Sequence, residues 1–303
     1  MRSILLSFLF VSGFCCKQKE AVPENNNCKG SPPFVKHVAG FNTGKSYFST
    51  SEIRKMGLVL VENQGPESKQ PIRYYQHPSW QKAGWLSPIQ IDENGNIYTA
   101  PAPFINVLDN PVEKQNTIYK IDAIKGEMNE FIKLPQPDSL NNNNPYGVLG
   151  LTYLCNPGVL YASTIAGSNR YTEQGAIYAI DIKSAKIKDR ISGIDAMGMG
   201  ITSIRGQKEL FFGTGRSPAV FSVSLGNDGR FKSKPVTEFS LEGLGPRGDD
   251  KVRRIRTDQD GNLIIYGIEF NYNLIAPREK PETVYEFFYD ANQKKWVCKY
   301  IHS

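Results

Sequence analysis

The chain carries 36 Lys and Arg against 30 Asp and Glu over 303 residues, and the resulting charge of +6 is spread along it. Without a clustered basic stripe, a nucleic-acid partner is excluded. Tyr and Phe are abundant, at 15 and 16 residues, and amphipathic helical periodicity is nearly absent, so all-β is the class with positive support.

At the start, Arg2 precedes the apolar run Ile4-Leu5-Leu6-Ser7-Phe8-Leu9-Phe10-Val11, too short for a permanent transmembrane helix and typical of an export signal. The run ends at Ser12-Gly13-Phe14-Cys15-Cys16-Lys17, which resembles the lipobox of bacterial lipoproteins. That resemblance implies that residues 1–16 are a signal with a lipobox-like end, whose Cys16 becomes the lipidated first mature residue and anchors the chain to a bacterial membrane. Cys15, or an ordinary cleaved signal giving a secreted protein, is the alternative. Residues 17–33, rich in Asn, Lys, Glu and Pro, hold too little apolar surface to fold and read as a flexible tether.

From Phe34 to Ser303 there is no linker-like break in composition, which predicts a single domain. Its ruling pattern is clearest from Leu86 to Pro135. Ile89 and Ile91 enter the turn Glu93-Asn94-Gly95-Asn96 and the chain leaves through Ile97-Tyr98-Thr99, the Asn-Gly signal of a β-hairpin. A second hairpin, Ile118 to Asp122, turns at Ala123 to Gly126. Four strands A, B, C, D in a meander form one propeller blade, which needs copies of itself to bury both faces.

The pattern recurs. Val59, Tyr119, Tyr178, Phe221 and Tyr285 take one equivalent place, read as the C strand. Modules follow at about 34–76, 86–135, 146–192, 198–240 and 252–301. The prediction is therefore an all-β, β-propeller fold of four-stranded antiparallel blades, five in number, with six as the alternative. In the first module Val35 to Ala39 and Ser46 to Thr50 are expected as strands A and B. Cys155 and Cys298 fall in blades that are not neighbours, so both are expected as buried free thiols.

The hairpin Ile255 to Gly267, IRTDQDGNLIIYG, resembles those of the broad propeller class that includes NHL repeats and gluconolactonases. The resemblance implies the fold and little else. Gluconolactonase-like propellers hold a divalent metal at the channel mouth. By that likeness Asn144, Asp195 and Asp250, each shortly before an A strand, are candidate ligands for calcium or magnesium. The residues by themselves admit a plainer role, capping their own turns through Asx hydrogen bonds.

The B–C and D–A connections leave one face of the disc, and they are the long ones, which makes that face the expected site. Arg170, Arg216, Arg247 and Arg278 fall there with Trp80, Trp85, Phe104 and Tyr171. Arginines with aromatics suit an anionic or sugar-containing ligand through bidentate hydrogen bonds and stacking. Histidines 37, 77 and 302 stand apart, without zinc-site spacing. No Gly-x-Ser-x-Gly elbow occurs, and Gly213 to Ser217 lacks the lysine of a phosphate loop. The preferred function is a membrane-anchored module that binds a protein or glycan. The alternative is a metal-dependent hydrolase of a sugar lactone or related ester.

Overall fold

The computed structural model describes residues 30–52, 54–63, 65, 71–102, 109–137, 144–273 and 281–302. The signal, Cys16, Cys28, Phe104 and Arg278 lie outside them. Five antiparallel sheets succeed one another along the chain as the blades of a β-propeller. Blade 2 comprises β4 (Leu86–Ile91), β5 (Ile97–Pro101), β6 (Thr117–Ile121) and β7 (Met128–Lys133). Blade 3 has β8 (Val148–Leu154), β9 (Val159–Thr164), β10 (Ala176–Asp181) and β11 (Lys186–Ser192). Blade 4 has β12 (Ala196–Ile204), β13 (Gln207–Thr214), β14 (Ala219–Ser224) and β15 (Val236–Ser240). Blade 5 has β16 (Lys251–Thr257), β17 (Leu263–Ile268), β18 (Thr283–Asp290) and β19 (Lys295–His302). No helix among the described residues is long and apolar enough to cross a membrane.

Blade 1 departs from the others. Among the described residues its sheet has three strands, β1 (Ser46–Ser49), β2 (Val59–Glu62) and β3 (Arg73–Tyr75). β1 lines the axial cavity beside β4, β8, β12 and β16, so the strand expected as B is the inner strand. Val59 accordingly belongs to the second strand and not to the C position. The stretch expected as strand A is instead the short helix α1 (Pro33–His37). Its first residue is Pro33, whose fixed φ suits the first helical turn and whose missing N–H costs nothing there. Phe34 and Val35 of this helix are buried between blades 1 and 2.

The hairpins repeat one local device. Asp92 Oδ1 accepts from the Asn94 and Asn96 amides, and Gly95 takes φ +84°. Asp258 Oδ1 accepts from the Asp260 and Asn262 amides, with Gly261 at φ +82°. The carboxylate satisfies turn amides while glycine supplies the left-handed residue. Asp122, Asp181 and Asp290 cap the C–D turns in the same way.

Burial falls from the second strand of each blade outward. β9 is buried at every position, because blades cover both its faces, whereas β11 is mostly exposed. Four apolar clusters join blades 1 to 2, 2 to 3, 3 to 4 and 4 to 5. Near the axis the inner strands crowd so closely that a Cβ on Gly150 would lie 2.2 Å from the Met197 carbonyl oxygen. One on Gly198 would lie 2.6 Å from the Arg254 amide nitrogen.

The folded part begins before Phe34. The Gly30 amide donates to the Asp92 carbonyl at 2.9 Å, seating the end of the expected tether on blade 2. Cys298 is a free thiol, pushed up in pKa by burial. Cys155, in contrast to the sequence expectation, is disulfide-bonded, to a partner outside the described residues. It stands half-buried at the A–B corner of blade 3, so pairing does not require contact with blade 5.

Candidate functional site

At the described parts of the B–C and D–A connections of blades 3 to 5, Asp195 with Arg216 and Asp250 with Arg247 form two ion-pair clamps. Asp195, fully buried just before β12, accepts at Oδ1 from the Ser168 hydroxyl at 2.5 Å and the Gly175 amide at 3.0 Å. Its Oδ2 accepts from Arg216 Nε at 3.1 Å and from the Tyr272 hydroxyl at 2.5 Å. Arg216 extends the clamp by donating to the carbonyls of Asn169 and Arg170. Tyr272 comes from the B–C connection of blade 5, so this carboxylate ties three blades together. Burial, reinforced by the Asp195 charge, drives the Tyr272 phenol far above its ordinary pKa.

Asp250, equally buried before β16, repeats the arrangement. Arg247 donates to both its oxygens and the Tyr285 hydroxyl donates at 2.7 Å. Arg247 also reaches Thr283 Oγ1 at 2.8 Å and the Gly267 carbonyl at 3.2 Å. Burial by itself would raise the Asp250 carboxyl, but the Arg247 and Tyr285 hydrogen bonds outweigh it and hold the group below the usual carboxylate value.

Asn144 is buried before β8. Its Oδ1 accepts from the Tyr146 amide, and its nitrogen donates to the carbonyls of Ile165 and Ser168. Through Ser168 it is joined to Asp195, whereas Asp250 belongs to a separate clamp. Among the described residues no group of three or more His, Cys, Asp or Glu side chains converges as a metal cage. The oxygens of both aspartates face guanidinium, phenol and hydroxyl donors, an environment that suits an ion pair and would set a cation beside an arginine.

Trp80 lies elsewhere. It is fully buried in the 3-10 turn Pro78–Gln81, in the connection between β3 and β4. Its indole N–H donates to the Gly126 carbonyl at 2.7 Å, at the C–D turn of blade 2 and so on the opposite face. Phe34, Phe48 and Tyr75 surround the ring. Trp80 is therefore core. Tyr171 is 84% exposed, with the exposed Arg170 guanidinium 5.3 Å from its ring centre, which leaves this pair open to solvent.

The feature that sequence reasoning missed is the axis. A cavity of about 1000 Å³ is walled by the inner strands. Ser46, Ser49, Thr50 and Ser51 line its blade 1 side. Three arginines of β16, Arg253, Arg254 and Arg256, line it together with one acid, Glu282. Arg254 pairs with Glu282 at 2.9 Å and covers the Tyr266 ring, which Arg256 also approaches. Arg253 sits at a register shift between Val252 and Arg254. Burial pushes its guanidinium below the ordinary arginine range, against the opposing effect of the Glu282 carboxylate and with that of the Arg254 charge. Nearby Tyr146, Phe270 and Tyr272 pack ring to ring at 5.4 and 5.3 Å, in a cluster with Leu149, Ile165 and Met197. The signal available in the sequence was the run Lys251-Val252-Arg253-Arg254-Ile255-Arg256 in a strand expected to line the axis.

No protein-family profile matches this chain, and no curated protein matches it in sequence. Solved structures do share its architecture. A luciferin-regenerating enzyme superposes over 85% of this chain and 75% of its own, with a TM-score of 0.51 at 12% identity. The soluble aldose sugar dehydrogenase of Escherichia coli covers 73% and 74%, at a TM-score of 0.41 and 17% identity. An exo-beta-1,3-galactanase from Phanerochaete chrysosporium covers 84% and 60%, at 0.47 and 8%. At these identities the likeness concerns the fold.

Proposed function

We propose that this chain is an exported, membrane-anchored propeller that acts as a binding module, receiving a small polar ligand or the end of a glycan or protein on its loop-rich face and in the axial cavity behind it. The observation that carries the reading is that cavity of about 1000 Å³. Its hydroxyl-bearing wall and arginines offer recognition chemistry, while the acids of the same face are consumed in clamps with Arg216 and Arg247. A rigid scaffold with a preformed concavity binds without paying to order itself. The export signal and lipobox-like junction at Cys16 support placement in the cell envelope, and the disulfide at Cys155 fits an oxidising compartment.

Two measurements test this. Cys16→Ser should release the protein from the membrane fraction; retention of that variant, with release by Cys15→Ser, would move the anchor to Cys15. Purified protein should show saturable melting-temperature shifts with members of a sugar and glycan panel and no turnover of sugar lactones. Lactone hydrolysis that depends on calcium or magnesium and vanishes in Asp195→Asn or Asp250→Asn would replace the binding reading with the hydrolase.

A further inference from the structure

Arginine is costly to bury, and this fold otherwise matches each burial with a partner. Arg216 and Arg247 are half-buried and each holds an aspartate. Arg253 is half-buried as well, but no carboxylate, carbonyl or hydroxyl of the described residues accepts a hydrogen bond from its guanidinium. The acid nearest in influence, Glu282, is engaged by Arg254. Arg253 nevertheless lines the axial cavity, and a guanidinium keeps its charge at neutral pH. Its planar fork of donors matches the two oxygens of a carboxylate or phosphate. The charged groups of the cavity wall are three arginines and one glutamate, so the potential inside favours an anion. Ser46, Ser49 and Thr50 of blade 1 also line the cavity, a polar wall that suits the neutral, hydroxylated part of the same molecule.

We infer that the axial cavity is a site for a small anionic ligand of the sugar-acid or sugar-phosphate class, whose carboxylate or phosphate is seated on Arg253. This rests on the binding-module reading and narrows it from a polar ligand to an anionic one. A bidentate contact to a charged group accounts for roughly a tenfold to hundredfold gain in affinity, and that increment is what removal of the guanidinium should abolish.

The test uses the full chain in detergent, with glucuronate, glucose 6-phosphate, inorganic phosphate and glucose as probes, at ionic strength held constant with chloride. Binding is read by calorimetry and by melting temperature. Glucuronate or glucose 6-phosphate should bind saturably, glucose at least tenfold more weakly, and the comparison of the two anions tells carboxylate from phosphate. Arg253→Gln should lose about tenfold or more in anion affinity, and Arg253→Lys, which keeps the charge without the fork, should fall between. Because the guanidinium donates no hydrogen bond to a described residue, Arg253→Gln should melt no lower than the parent in the absence of ligand. A markedly lower melting temperature would make Arg253 a structural residue and overturn the inference. Anion binding that survives Arg253→Gln, or no saturable binding by any anion, would also overturn it. Tight glucose binding untouched by Arg253→Gln would sink this inference while leaving the binding module standing. Metal-dependent lactone turnover would instead sink the reading beneath it.

Discussion

Replacing Asp195 by Asn keeps the volume of a fully buried side chain and removes the charge on which three blades converge. The carboxylate accepts four hydrogen bonds, two at each oxygen. An amide can accept at one end only, so either Arg216 and Tyr272 or Ser168 and Gly175 face an N–H₂ group. With the oxygen turned to Arg216, the Ser168 hydroxyl can rotate to accept, but the Gly175 amide is left unsatisfied, at about 1–3 kcal/mol. The Arg216 contact then loses its ionic part. Its side chain is 26% exposed, and water screens that share, so about 1 kcal/mol is a reasonable value rather than the larger cost of a wholly buried pair. The expected total is about 3 kcal/mol, and for a domain of this length each kcal/mol lowers the melting temperature by roughly 2 °C, giving a fall of about 6 °C. Urea unfolding and calorimetry of the parent, Asp195→Asn, Tyr272→Phe and the double variant would measure it, with the two single losses combining less than additively because they share one bond. A loss below about 0.5 kcal/mol, within the range of ordinary surface substitutions, would refute the clamp. So would a parent melting temperature that drops on chelation to match the variant, since the aspartate would then be serving a metal.

Asp250 gives a pH signature. Its carboxyl is held below the usual carboxylate value, so it contributes stability above the unfolded pKa and loses it as the pH falls through the folded pKa. The stability gap between parent and Asp250→Asn should be constant from neutrality to about pH 5 and then close toward pH 3; a gap unchanged at pH 3 would dismiss the linkage. Gly198→Ala would press a methyl against the Arg254 amide nitrogen at 2.6 Å, and overpacking of this kind costs about 1–3 kcal/mol, readable in urea. An unchanged midpoint would mean that β12 and β16 can part without loss. Reducing the disulfide at Cys155 should lower stability by about 2–4 kcal/mol, and an identical melt with and without reductant would argue against a structural bridge.

The blades were legible because their instructions are local. An aspartate that caps the turn, a glycine that supplies the left-handed residue and flanking apolar β-formers act within a few positions, as at Asp92 to Asn96 and Asp258 to Asn262. Blade 1 was misplaced by one strand because Phe34 and Val35 are apolar and adjacent, which fits an inner strand as well as a buried helix; docking against Trp80 and Gly126 in the neighbouring blade settles the matter. Residue types also marked Asp195, Asp250, Arg216 and Arg247. Whether a charge is free for a ligand, however, depends on what arrives opposite it. The Tyr272 hydroxyl reaches Asp195 across 77 residues of sequence, and Arg253 has no hydrogen-bond acceptor among the described residues, because Arg254, beside it in the chain, takes Glu282. Pairing is a property of distances in space that folding creates, so the sequence named the charged groups and only the tertiary structure decided which of them remain to act.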